Sequence, residues 1–193
     1  MTHAELEAIC VAAAEAGAQR LRELFGGPRQ ISLKGRIDLV TDGDRAAEER
    51  ILALLHERAP GAAILAEESG ASGKGEVRFV VDPLDGTTNY AHGIPIFTCT
   101  VAAEEKGVPV AGCTVDPMRG ETYRGCRGRG AFLNDAPLRA SRARVVRSRS
   151  VAKKRSDSFS MAVAWALRPR SGALTVNHAR VAKAIRATPM ATA

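Results

Sequence analysis

Three short segments of this chain carry acidic residues at spacings that could do chemistry: DLVTDGD at 38–44, LAEESG at 65–70 and VDPLDGTTN at 81–89. In each, carboxylates stand just past an apolar stretch that reads as a strand, so a sheet edge could present Asp44, Glu67, Asp82 and Asp85 together. Carboxylates gathered that way suit a hard divalent cation, which takes oxygen ligands and keeps several waters. One glutamate, two aspartates and a backbone carbonyl would serve a pair of magnesium ions. Such a pair activates a water and stabilises the leaving oxygen of a phosphate ester. The third segment adds a seat for an anion. Gly86 lets a ligand approach the backbone closely, and the amides of Gly86, Thr87 and Thr88 stand where a helix would begin. Taken singly, each segment has an ordinary reading: DPLDG as a turn, EESG as a solvated loop with a cap, Asp38 or Asp44 as the cap of a helix. Chance accounts poorly for all three in one order, each at a strand end.

The elements that must position these segments are legible around them. Leu6, Ile9, Ala13, Gly17, Leu21 and Leu24 recur at three- and four-residue steps, which puts them on one face of a helix. Thr2 with Glu5 fits a capping box, and Gly26-Gly27-Pro28 stops the helix. A second helix is predicted over 44–58, with Ile51, Leu54 and Leu55 inward and Pro60-Gly61 closing it. Strands are predicted over 62–66 and 77–81. From Pro95 the pattern becomes one of strands and tight turns, over 96–104, 108–115, 121–124, 131–133 and 137–139. Two helices followed by a run of hairpins predict an α+β fold, helices on one face of a mostly antiparallel sheet.

Bulk properties bound the class. The chain has 193 residues, 45% of them hydrophobic and 25% charged, which suits a soluble globular protein. No apolar run has the length to cross a bilayer. The N-terminus MTHAE lacks the basic and apolar regions of a signal peptide, which predicts a cytoplasmic protein. Cys10, Cys99, Cys113 and Cys126 form no C-x-x-C pair and read as buried free thiols. The net charge of +7 is unevenly spread. Twelve of the 28 basic residues and one of the 21 acidic ones lie between Arg142 and the end, so that stretch carries +11 and residues 1–141 carry −4. Residues 142–155 are rich in Arg and Ser with little periodicity, the composition of a solvated segment. The expected division is therefore a metal-binding unit over 1–141 and a basic, divergent tail over 142–193. Basic stretches bind nucleic acid in a salt-sensitive way, but this one has only Phe159 and Trp165 as aromatics and no recognisable motif, so nucleic acid is not an expected partner.

The string DPLDGTTN, preceded by AEES and DLVTDGD and followed by GIPIF and DPMRGETYRGCRGRGAFLNDAPLRAS, resembles the inositol monophosphatase family of magnesium-dependent, lithium-sensitive phosphatases. The resemblance runs from about residue 3 to Ser141. It implies the N-terminal layer of an αβαβα sandwich and a Mg²⁺-dependent phosphomonoesterase, Mn²⁺ being an alternative ion. The implied substrate is a small sugar or cyclitol phosphate, with histidinol phosphate or a nucleotide 3′-phosphate as alternatives, and the implied assembly is a homodimer. By resemblance, Glu67, Asp82 and the Leu84 carbonyl hold one ion, and Asp82 and Asp85 hold part of a second. Glu67 and Thr87 orient the attacking water, Asp44 polarises Thr87 or reaches a third ion, and the Gly86 and Thr87 amides hold the phosphate. Glu68 is expected beside the ligands and not among them, and His92 at the surface or in packing.

The family also has a second layered half, in which a Trp-Asp pair completes the second metal site. Here Trp165 is followed by Ala166. The switch in charge and periodicity after Ser141 reads as an altered reading frame or a truncation. A truncated, non-catalytic metal-binding remnant is accordingly the alternative to an active phosphatase.

Overall fold

Helix α1 (His3–Leu24) begins where the capping residues predict. Thr2 Oγ1 accepts from the Glu5 amide at 3.2 Å and Glu5 Oε2 accepts from the Thr2 amide at 2.6 Å, closing the capping box. The chain leaves the helix through Phe25 and Gly26, the latter at φ 88°. This computed structural model describes residues 1–27, 31–34 and 38–139 of the chain, and the basic stretch from 142 onward lies outside them. Of the predicted stripe, Leu6, Ile9, Ala13, Gly17 and Leu21 are buried and Leu24 is half-buried. Gly17 is needed for close approach. A Cβ there would lie 2.7 Å from Ile51 Cδ1 and 2.8 Å from Cys99 Sγ, so only glycine lets α1 meet the second helix and the sheet at that point.

A two-stranded ladder, β1 (Ile31–Lys34) with β2 (Asp38–Thr41), precedes α2 (Asp42–Arg58). Of the two, β2 falls on the apolar stretch of the first segment that reads as a strand, and β1 carries no such signal. Helix α2 starts at Asp42, two residues before the predicted Asp44, and neither Asp38 nor Asp44 is its cap. The cap is Thr41, whose Oγ1 accepts from the Gly43 amide, and Asp44 is the reciprocal third-position acid.

The main sheet has eight strands in the order β10-β9-β8-β7-β6-β5-β3-β4. They are β3 (Ala63–Ala66), β4 (Gly70–Ser72), β5 (Val77–Asp85), β6 (Thr98–Glu105), β7 (Val108–Asp116), β8 (Glu121–Cys126), β9 (Gly130–Leu133) and β10 (Ala136–Leu138), with the short helix α3 (Thr87–Ala91) between β5 and β6. Every neighbouring pair is antiparallel except β3 with β5. Lys106 and Gly107, at φ 52° and 76°, make the two-residue turn between β6 and β7, with Glu105 opposite Val108. Helix α1 packs across β6, β7 and β8, and α2 packs on α1 and β5, so both cover one face of the sheet. The fold is α+β, as predicted. Leu6, Leu21, Ile51, Leu55, Phe79 and Val101 are fully buried between these layers, each contributing about 1.5–3 kcal/mol by burial. All four cysteines are free and buried in this core. Among the described residues no helix is long and apolar enough to cross a membrane.

Candidate metal centre

The predicted acidic residues meet where β2, β3 and β5 end. Strand β5 runs through the third segment and does not stop at Val81 as predicted, so Asp82, Leu84 and Asp85 lie on the strand itself. Its pairing with β6 is interrupted between Asp82 and Asp85, the irregularity that re-aims residues at a strand end. Asp82 is 1% exposed. Its Oδ1 is, among the described residues, the one buried side-chain oxygen or nitrogen with no hydrogen-bond partner. Burial pushes the Asp82 carboxyl well above the usual carboxylate range, and the neighbouring charges of Glu67, Asp85 and Asp44 push it further the same way. A buried carboxylate surrounded by carboxylates, with an oxygen that no donor reaches, is in deficit of positive charge.

Glu67 lies just past β3, as predicted, at the start of a three-residue turn that returns the chain to β4 at Gly70. Its amide donates to the Val81 carbonyl at 3.2 Å, which ties the turn to the residue before Asp82. Asp44 is 3% exposed in the first turn of α2. Its Oδ2 accepts from both the amide and the hydroxyl of Thr41 at 2.7 Å, and its Oδ1 accepts from the Thr87 hydroxyl at 3.3 Å. Burial raises the Asp44 carboxyl to about 6, against the lowering effect of the Thr41 hydrogen bonds. The Thr87 hydroxyl has a second acceptor, the Leu84 carbonyl at 3.0 Å. One proton cannot serve both at once, so Thr87 stands between Asp44 and Leu84.

Gly86 caps α3 in the left-handed region at φ 99°. A Cβ there would come within 3.0 Å of the Ile96 carbonyl and 3.3 Å of Phe97, so glycine is required on both counts. The Gly86, Thr87 and Thr88 amides stand at the start of that helix, as the sequence predicts. Asn89 Nδ2 donates to the Ile96 carbonyl at 2.8 Å and Tyr90 Oη donates to the Leu21 carbonyl at 3.1 Å, fixing the short helix against the segment that leads into β6 and against α1. His92 is exposed, its Nδ1 2.8 Å from the Thr88 carbonyl, in keeping with its expected surface role.

The structure thus brings Glu67, Asp82, Asp85, Asp44 and Thr87 into one neighbourhood. It does not close them into a cage: among the described residues no three His, Cys, Asp or Glu side chains are drawn together tightly enough to enclose an ion. Oxygen donors only, one of them buried and unsatisfied, are what a hard divalent cation requires, and on that ground the residues fit magnesium. Two residues of the site carry no signal of their own in the motifs, Thr41 and Glu48. Glu48 is buried on α2 and accepts from the Glu68 and Ser69 amides, both at 2.9 Å.

The sequence model of the inositol monophosphatase family matches residues 3–184. The chain belongs to that family. The match runs beyond Ser141, the expected end of the resemblance. An inositol-1-monophosphatase of Mesorhizobium japonicum is 43% identical over 151 residues, which are 76% of this chain and 57% of that protein. A protein named Nus factor SuhB from Pseudomonas aeruginosa is 44% identical over 115 residues, 58% of this chain and 42% of that one. Among solved structures, the extragenic suppressor protein suhB of Bartonella henselae superposes with a TM-score of 0.69 at 41% identity, over 71% of this chain and 55% of that one. The inositol monophosphatase of Anabaena does so with 0.61 at 34% identity, over 71% and 50%. The chain spans about half the length of the relatives it matches.

Proposed function

We propose that this chain carries the metal-binding half of a cytoplasmic, magnesium-dependent phosphomonoesterase acting on a small sugar or cyclitol phosphate. The observation that carries the reading is Asp82: buried, one oxygen without a partner, and ringed by Glu67, Asp85 and Asp44. Glu67, Asp82, Asp85 and the Leu84 carbonyl would hold Mg²⁺, or Mn²⁺ in its place. When bound, the metal lowers the pKa of a water and stabilises the leaving oxygen. The protein's own groups do the rest. Thr87 donates its hydroxyl hydrogen bond to Asp44 Oδ1 when the Leu84 carbonyl is otherwise engaged, and its oxygen lone pairs are then free to orient a water together with Glu67. Asp44, raised by burial and held in place by Thr41, keeps that orientation fixed. The Gly86 and Thr87 amides offer donors to the phosphate oxygens. Histidinol phosphate and a nucleotide 3′-phosphate are the alternative substrates of the same site.

Phosphate release in saturating Mg²⁺ tests this, with inositol 1-phosphate, histidinol phosphate and adenosine 3′,5′-bisphosphate as substrates. Release from one of them that Glu67→Gln or a chelator abolishes supports the reading. Release that survives both contradicts it. Binding of Mg²⁺ with no release from any ester identifies the alternative, a non-catalytic metal-binding remnant.

A further inference from the structure

We infer that Glu48 is a positioning residue for Glu67, acting through the backbone of the turn that carries it; this rests on the reading of Glu67 as a metal ligand. The turn Glu67-Glu68-Ser69 is the whole connection between β3 and β4, since Ala66 already pairs with Gly70. A three-residue hairpin loop at a sheet edge has few internal contacts to hold it. This one is gripped by α2. Glu48 Oε2 accepts from the Glu68 amide and Oε1 from the Ser69 amide, each at 2.9 Å, so both carboxylate oxygens are spent on consecutive backbone donors. Glu48 is 4% exposed, and hydrogen bonds from amides to a buried carboxylate are of the strong, charge-assisted kind.

On its other side Glu67 is tied by its own amide to the Val81 carbonyl, next to Asp82. The backbone at Glu67 is therefore fixed between β5 and α2. Asp44 and Glu48 stand one helical turn apart, hence on one face of α2. The first reaches Thr87 and the second reaches the Glu67 turn. One rigid helix thus sets the spacing between two loops of the site. A further acid beside an acidic site raises the electrostatic cost of the metal-free state. A carboxylate is nonetheless required by the geometry, because a glutamine has one acceptor oxygen and would turn its own N–H donors toward the second amide.

Calorimetric Mg²⁺ binding to the full 193-residue chain, with urea unfolding alongside, tests this on wild type, Glu48→Gln, Glu48→Asp, Glu67→Gln and the Glu48→Gln/Glu67→Gln pair. Glu48→Gln should stay folded and bind Mg²⁺ about 10- to 100-fold more weakly, the range for residues that orient ligands. Glu48→Asp keeps the charge and loses the reach, and should weaken binding as well. In the Glu67→Gln background the Glu48 change should add nothing. Wild-type affinity in either single variant, or an additive effect in the pair, overturns the inference and leaves the metal reading standing. Failure of the wild type to bind, or undiminished binding by Glu67→Gln, overturns the metal reading and this inference with it. Should the Glu48 variants not fold, amide exchange on the wild type decides. By linkage, Mg²⁺ must slow exchange at Glu68 and Ser69 more than in the β6–β7 hairpin; equal slowing overturns the inference.

Discussion

At the β7–β9 end of the sheet, buried acids have donors. Glu7 on α1, 3% exposed, receives Arg124 at 3.1 Å and Arg129 at 3.9 Å, with Arg124 also lying 4.7 Å from the Phe132 ring centroid. Asp116, 4% exposed, accepts from the Met118 and Arg119 amides at 3.1 Å and from the Arg119 guanidinium at 2.5 Å. At the β3–β5 end, Asp82 is buried as deeply, yet its charged neighbours are acids and Oδ1 has no partner. The same residue types at the same depth thus do two jobs. Of the compensated acids, Glu7 holds the sheet to α1 and Asp116 closes the turn between β7 and β8. The uncompensated one leaves a deficit that a cation can fill.

The comparison can be broken from either end. The largest expected effect is at the compensated end. Glu7→Ala should cost about 2–3 kcal/mol in urea unfolding, because it strands the Arg124 charge, and should leave Mg²⁺ affinity unchanged. An altered affinity would mean that the two ends are not separate. At the uncompensated end the sign reverses. Asp82→Asn should stabilise the metal-free chain at pH 8, because it removes a buried charge that burial and the neighbouring acids disfavour. Because burial raises the folded-state pKa of Asp82, the wild type holds its extra proton at low pH and loses stability as pH rises. The advantage of the variant should therefore appear at pH 8 and shrink toward pH 4. A variant less stable than wild type at pH 8 would show that the Asp82 charge is already compensated. Tyr90→Phe should cost about 1 kcal/mol, the worth of the buried bond to the Leu21 carbonyl. Smallest of all, Arg20→Ala should cost under about 0.5 kcal/mol, since its pair with Glu23 is exposed on both sides.

Much of this was legible in the sequence, and for identifiable reasons. The α1 stripe, the capping box at Thr2 and the hairpin turn at Lys106-Gly107 are local signals, and local signals decide local structure. The three acidic segments were legible together, because chance accounts poorly for three of them in one order, each at a strand end. What was hidden depended on distant contacts. The β1 and β4 strands are four and three residues long and exist through their partners, so no alternation announces them. The extent of β5 was hidden by Pro83, which reads as a break and instead sits at the pairing irregularity next to Asp82. Glu48 belongs to no motif, and its role depends on the distant Glu68 and Ser69 amides. The signal was present: with Ala47, Ile51 and Leu55 buried, Glu48 adjoins the apolar stripe, and an acid there needs donors from elsewhere in the fold.

If the deficit at Asp82 is a divalent-cation site, calorimetry at pH 8 should show saturable Mg²⁺ binding by the wild type and none by an Asp82→Asn chain that is folded and at least as stable. Equal binding by the two proteins would mean that Asp82 holds no cation.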